Sequence, residues 1–148
     1  MELEVKVKKL HERAELPSYA KPGDAGCDVK CVSFEYDEEH DTWVYHTGLA
    51  FEIPKGYFMF GVPRSSNTKT DVYLPNSPGT IDSGYRGEVI FKYKNRDYDE
   101  LNVNKAPYEV GDRIGQLIIL PYPIINYVES DELAESERGD GGFGSTGK

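Results

Sequence analysis

Basic residues are in the minority here: 17 Lys and Arg stand against 26 Asp and Glu, for a net charge of -9. A protein that grips nucleic acid by its phosphates presents a basic face, so this field argues against a polymeric nucleic-acid ligand. It leaves room for a small polyphosphate, which needs only local arginines and a metal ion. Cysteine is scarce as well. Cys27 and Cys31, with His11, His40 and His46, form no metal-ligand spacing, which argues against structural zinc and for two buried or partly buried free thiols. No apolar run approaches membrane length, so no membrane contact is expected. The alternating start Met1-Glu2-Leu3-Glu4-Val5-Lys6-Val7 lacks the hydrophobic core of a signal peptide. A soluble, cytoplasmic protein follows as the expectation, or one of the host cell interior if the source is viral.

Helical periodicity is missing too, and period-two alternation stands in its place. Leu3/Val5/Val7, Leu49/Phe51/Ile53 and Val89/Phe91/Tyr93 each line one face between charged or small residues, the pattern of half-buried strands. Residues 56–62 and 114–120 are nearly continuous apolar runs and read as strands covered on both faces. Nine prolines and fifteen glycines punctuate short elements. At 148 residues the chain suits one all-β domain, a jelly-roll-like sandwich or distorted barrel. Residues 65–71 read as a loop or one short helix. Residues 37–41 read as a solvated hairpin tip between Phe34/Tyr36 and Trp43/Tyr45. The expected organisation is a β domain over 1–128, an acidic linker over 129–137 and a Gly-rich arm over 138–148.

That arm carries five glycines around Arg138, Phe143, Ser145 and Thr146. Glycine admits close backbone approach to an anion, an arginine forks onto phosphate oxygens, hydroxyls bond others, and an aromatic ring stacks on a flat base. A disordered linker and an anion nest compete with that reading. Residues 142–148 also fit G-x-x-x-x-G-K, but the Ser/Thr of a P-loop is missing and no helix follows to meet a phosphate.

Two further stretches carry chemistry. Pro63-Arg64-Ser65-Ser66 puts an arginine and two hydroxyls at a strand end. Residues 76–87 hold Asn76, Gly79, Ile81, Asp82 and Tyr85 between turn residues, where a fixed carboxylate can orient a water. With Ala25-Gly26-Cys27-Asp28-Val29, Gly111-Asp112-Arg113-Ile114-Gly115-Gln116-Leu117 and the arm, these make five segments in order. Over nearly the whole chain they resemble the homotrimeric deoxyuridine triphosphate nucleotidohydrolases (dUTPases).

The resemblance implies a β-clip fold and a dUTP diphosphatase that limits uracil in DNA and supplies dUMP for dTMP synthesis. Asp82 matches the carboxylate that activates the water attacking the α-phosphorus. Tyr85 matches the ring against the deoxyribose that excludes a 2′-hydroxyl, and Asn76, with the backbone of Gly79 and Ile81, matches the uracil reader. Asp28 matches the acid that holds Mg²⁺ through water. Ser65 matches the hydroxyl near the α–β bridging oxygen, while Arg64, Ser66 and Gln116 match phosphate contacts. Arg138 matches the γ-phosphate arginine and Phe143 the ring stacked over uracil, with Gly144, Ser145 and Thr146 beside them. In the family, three subunits contribute to each site, which makes a homotrimer the expected assembly and dUTP its ligand.

The chain departs from the family pattern at Gly84, where many members carry a second acid, and in the 67–74 loop, which has Asp71 where glycine is frequent. Two alternatives remain. A dCTP deaminase shares the Arg-Ser-Ser and Ile-Asp-x-Gly segments, but it needs a glutamate at the position of Lys92. A regulator that binds nucleotide without turnover would retain the fold alone.

Overall fold

The computed structural model describes residues 1–97 and 105–147; Lys148, the end of the P-loop-like match, lies outside them. Among the described residues, nine strands form two antiparallel sheets: β1 (Lys6–Lys9), β2 (Cys27–Lys30), β3 (Ser33–Asp37), β4 (Thr42–Glu52), β5 (Tyr57–Val62), β6 (Val72–Tyr73), β7 (Gly79–Ile81), β8 (Glu88–Asn95) and β9 (Arg113–Pro121). The first sheet runs β1-β4-β8-β6, with β3 on the same edge of β4 as β1; the second runs β2-β9-β5-β7. This is the expected all-β architecture.

The alternation in β8 does what its period requires. Val89, Phe91 and Tyr93 are buried in the interior, while Ile90 and Lys92 are exposed on the other face. They meet Tyr45, Leu49 and Phe51 of their own sheet and Val29, Met59, Ile114 and Leu117 of the second. Tyrosines in this core keep their hydroxyls satisfied, because an unpaired polar atom in the interior is costly. Tyr93 donates to the Ile114 carbonyl at 2.5 Å, and Tyr45 donates to the Tyr108 carbonyl at 3.1 Å while accepting the Tyr108 N–H at 3.0 Å. Burial pushes both the Tyr45 and Tyr93 hydroxyls above the usual phenol range.

β9 of the second sheet crosses Phe91 of the first at Gly115. A Cβ on Gly115 would lie 2.6 Å from the Phe91 Cζ, so only glycine fits there. The free thiols are as expected: Cys31 is buried, and that burial pushes its thiol up to about 11, while Cys27 is half-buried. The hairpin tip is tied down from below, since the Asp41 carboxylate accepts the Tyr36 hydroxyl and, at 2.8 Å, the Asn95 amide.

Two expectations need correction. The strand at the amino terminus begins only at Lys6, which leaves Leu3 outside it and exposed. The apolar runs of β5 and β9 are covered on one face within the chain, not on both. Phe58 and Phe60 are only half-buried and stack edge-to-face with centroids 4.7 Å apart, and Leu120 is exposed. Two layers are all that the described residues supply, and on the outer face of the second sheet Tyr122, its centroid 6.0 Å from that of Phe58, gives only partial cover.

Gly115→Ala should cost about 1–3 kcal/mol by overpacking the interface between the sheets. Thermal unfolding would then show a melting temperature lower by roughly 3–8 °C.

Candidate active site

β2 and β9 build the first half of the site. Their register sets Asp28 opposite Gln116, and β9 in turn sets Gln116 opposite Val62, the last residue before Pro63-Arg64. Three predicted residues therefore converge. The buried Asp28 carboxylate accepts from Arg64 Nε at 3.2 Å and from Gln116 Nε2 at 3.2 Å through the same Oδ1. Arg64 Nη1 also reaches Ser66 Oγ at 3.4 Å. Arg64 and Gln116 offset the cost of burying this carboxylate. Gly26 makes the arrangement possible, because a Cβ there would sit 3.1 Å from Gln116 Oε1.

One participant was not assigned a role from the sequence. Arg113 Nη1 lies 3.8 Å from Asp28 Oδ2 and lines a cleft with Arg64, Tyr108, Gly111 and Asp112. Strict alternation would put Arg113 on the interior side with Gly115. Lys30 pairs with Arg113 but Val29 pairs with Gly115, so β9 carries one extra residue, Ile114, at this point. Such a bulge re-aims the side chains beyond it. Pro63-Arg64 leads into a 3₁₀ helix, Ser65–Lys69, the short helix that was one of two sequence expectations. Its single buried residue, Asn67, anchors it by donating to the Tyr108 hydroxyl at 3.1 Å and to Thr70 Oγ1 at 3.2 Å. Ser65 is thereby left exposed on the outer side of the turn.

The second half lies on the hairpin after β7. Asp82 and Tyr85 are exposed and share a cleft of about 370 Å³ with Thr80, Ile81, Glu88, Val89, Ile90 and Lys92. The Tyr85 hydroxyl donates to the Glu88 carbonyl at 3.0 Å, and its ring lies across Gly87, where a Cβ would be 2.6 Å from Tyr85 Cζ. Asn76 is exposed at the other end of the hairpin, with its amide against Gly79.

The two halves share no lining residue. Ile81 pairs with Met59, and Gln116 with Val62, three residues further along β5. That offset is roughly 10 Å at strand rise. The arm is apart from both. Arg138 Nε donates to the Gly141 carbonyl at 2.8 Å, the Ser145 N–H bonds the Gly142 carbonyl at 3.1 Å, and Phe143 is fully exposed. Gly144 and Thr146 lie in the same exposed run.

The donor set sets limits on a cation. Among the described residues no group of three or more His, Cys, Asp or Glu is placed to hold a metal. Asp28 is already met by two guanidiniums and an amide. These residues do not suit an all-protein metal cage. They do suit a hydrated Mg²⁺ that takes most of its ligands from substrate phosphates and meets one carboxylate across a water.

Arginines, hydroxyls and an amide around one buried acid, with a separate exposed acid and a tyrosine over glycine, define an all-β protein built for a small phosphorylated ligand. Comparison with known proteins sharpens this. The dUTPase family model matches residues 12–147. The deoxyuridine 5'-triphosphate nucleotidohydrolase of Leifsonia xyli subsp. xyli is 43% identical over 138 residues, covering 89% of this chain and 85% of its own. That of a Hydrogenobaculum species is 42% identical over 143 residues, covering 95% and 96%. A solved Staphylococcus bacteriophage 80alpha dUTPase G164S mutant with dUpNHpp superposes with a TM-score of 0.83 at 28% identity, covering 98% of this chain and 99% of that one. The chain belongs to the dUTPase family.

Gly87→Ala should push the Tyr85 ring off its seat. Steady-state kinetics on dUTP should then show kcat/KM lower by about tenfold or more, with the melting temperature nearly unchanged because the site is at the surface.

Proposed function

We propose that this protein hydrolyses dUTP to dUMP and pyrophosphate by in-line attack of water on the α-phosphorus. The observation that carries the reading is the family match over residues 12–147, a span that holds all five segments. A deaminase is not favoured, because the position that needs a glutamate is Lys92, exposed on β8.

In this reading Asp82, which is exposed, orients and deprotonates the attacking water. Tyr85 forms the floor beneath the deoxyribose, while Asn76 and the backbone of Gly79 and Ile81 read the uracil edge. A fixed donor and acceptor pattern rejects cytosine by leaving a group unpaired. Arg64, Ser66 and Gln116 bind phosphate oxygens, with Arg113 beside them, and Ser65 faces the oxygen on which leaving-group charge develops. Mg²⁺, met through water by Asp28, supplies charge neutralisation on the polyphosphate.

Asp82 and Tyr85 line one cleft of the chain and Arg64 and Arg113 another, with no lining residue in common. Juxtaposed copies supply the missing half, which supports the homotrimer. The arm over 138–148 then closes the site from a neighbour. Phe143 covers the base, Gly144, Ser145 and Thr146 wrap it, and Arg138 completes the phosphate shell as water is excluded. The exposed acidic stretch 129–137 acts as the tether.

Asp82→Asn should leave dUTP binding within a few-fold while kcat falls by about a thousandfold, since it removes the base but little contact surface. Unchanged turnover would refute the role. A chain ending at Glu137 should assemble normally yet lose most of its activity; sedimentation and pyrophosphate release measure the two properties. Pyrophosphate release across a panel of the common dNTPs with Mg²⁺ tests the function itself, and the expected signal comes from dUTP alone.

A further inference from the structure

On the outer face of the first sheet, three strands meet at one imidazole. His46 of β4 sets Nδ1 2.7 Å from Glu88 Oε1, at the start of β8, and Nε2 at 2.9 and 3.0 Å from the two oxygens of Glu35 on β3. The second Glu88 oxygen accepts the Gly48 N–H at 2.8 Å, inside the register shift between His46 and Ala50. The Glu88 main chain is the acceptor that holds the Tyr85 hydroxyl, and the residue lines the Asp82 cleft. Glu88 is thus a joint: its carboxylate is fixed to β4 and its carbonyl fixes the tyrosine.

We infer that Glu88 and His46 are positioning residues for Tyr85, and that their contact sets how strongly the site prefers deoxyribose to ribose. The inference rests on the dUTP-hydrolysing reading and on Tyr85 as the floor beneath the sugar.

Neutral imidazole has one N–H, so two carboxylates on its two nitrogens require the cation. The other charged groups on this face are Lys92 and Lys94 of β8, Asp37 of β3, Lys6 and Lys8 of β1 and Glu52 of β4; the nearest in register are Lys92, across Val44 from Glu35, and Lys8, across Ala50 from Glu88, while Lys6 pairs with Glu52, and Ser33 and Ile90, which pair directly with His46, are uncharged. Burial pulls the His46 imidazole down, but hydrogen bonds and charge from Glu35 and Glu88 outweigh it, and the net shift is upward from 6.5. A raised value means the contact is complete below the ordinary histidine range and is lost as pH climbs through the shifted value. The neutral ring then keeps its one N–H for the less exposed Glu88 and releases Glu35, so the hold on Glu88 continues without charge assistance and is weaker.

The test is the ratio of kcat/KM for dUTP over UTP between about pH 6 and pH 9, in the unaltered protein, His46→Gln and Glu88→Gln, with the His46 ring followed by NMR. Taking the ratio cancels the titration of the triphosphate, which both substrates share. The unaltered enzyme should lose about threefold or more of its preference in step with the imidazole. His46→Gln, which retains an N–H but no charge, should give the high-pH ratio throughout; Glu88→Gln should lower the ratio without a step. A ratio unmoved in both variants, or a step that survives His46→Gln, overturns the inference. Should either variant fail to fold, the unaltered enzyme decides: a step aligned with the ring supports the inference and a flat ratio overturns it. An unaltered protein that turns over neither nucleotide overturns the hydrolase reading and this inference with it, whereas dUTP turnover with a flat ratio overturns the inference alone.

Discussion

The fold turns on the contact of Gly115 with the face of Phe91, where the backbone of one sheet rests on a side chain of the other. Close-packed interiors transmit displacements rather than absorbing them, so the position of β9 is set by that single crossing. Gln116 follows immediately, the extra residue Ile114 precedes it, and Arg113 is aimed by that bulge at Asp28. β2 and β5 pair with β9 on its two sides, and they carry Asp28 and the strand end before Arg64. The charges gathered around Asp28 thus derive their geometry from strands that meet at one apolar contact.

The second centre of the molecule is built on a different principle. Around Asp82 there is little burial; order comes from hydrogen bonds to backbone. The Tyr85 hydroxyl is held by a carbonyl, the Arg86 guanidinium bonds the Ser83 carbonyl at 2.6 Å, and Glu88 is held through His46 and Gly48. The hairpin is thus ordered largely by directional bonds at the surface, with Ile81 packed against the core beneath it. The buried Asp28 cluster is ordered instead by contacts of one carboxylate with two guanidiniums and an amide.

Much of this was legible in the sequence where the information is local. The alternation of Val89, Phe91 and Tyr93 named one face of β8, and Arg64-Ser65-Ser66 was read as a strand end followed by a loop or a short helix. The five segments, read together, pointed to the family to which the chain belongs. What was hidden depends on pairing between distant strands. Arg113 joins Asp28 only because a bulge breaks the parity that alternation assumes, and Asn67 looked like an ordinary loop polar residue until Tyr108 supplied its partner. His46 and Glu88 stand 42 residues apart and carry no shared motif. The double coverage expected of β5 and β9 failed for a related reason: apolar runs report that a face is to be buried, not whether the same chain will bury it.

Trp43 gives the molecule a further property. It is the one indole in the chain, and it is buried against Phe34 and Tyr36, with the Tyr36 centroid 4.9 Å away. Its emission therefore comes from a dry setting at the base of the acidic hairpin and will shift to the red when water reaches β3 and β4. The ring on the arm is a phenylalanine, which contributes almost nothing in that wavelength range. Intrinsic fluorescence will thus follow the integrity of the sheet while remaining blind to the arm, which separates unfolding from opening in a single optical trace.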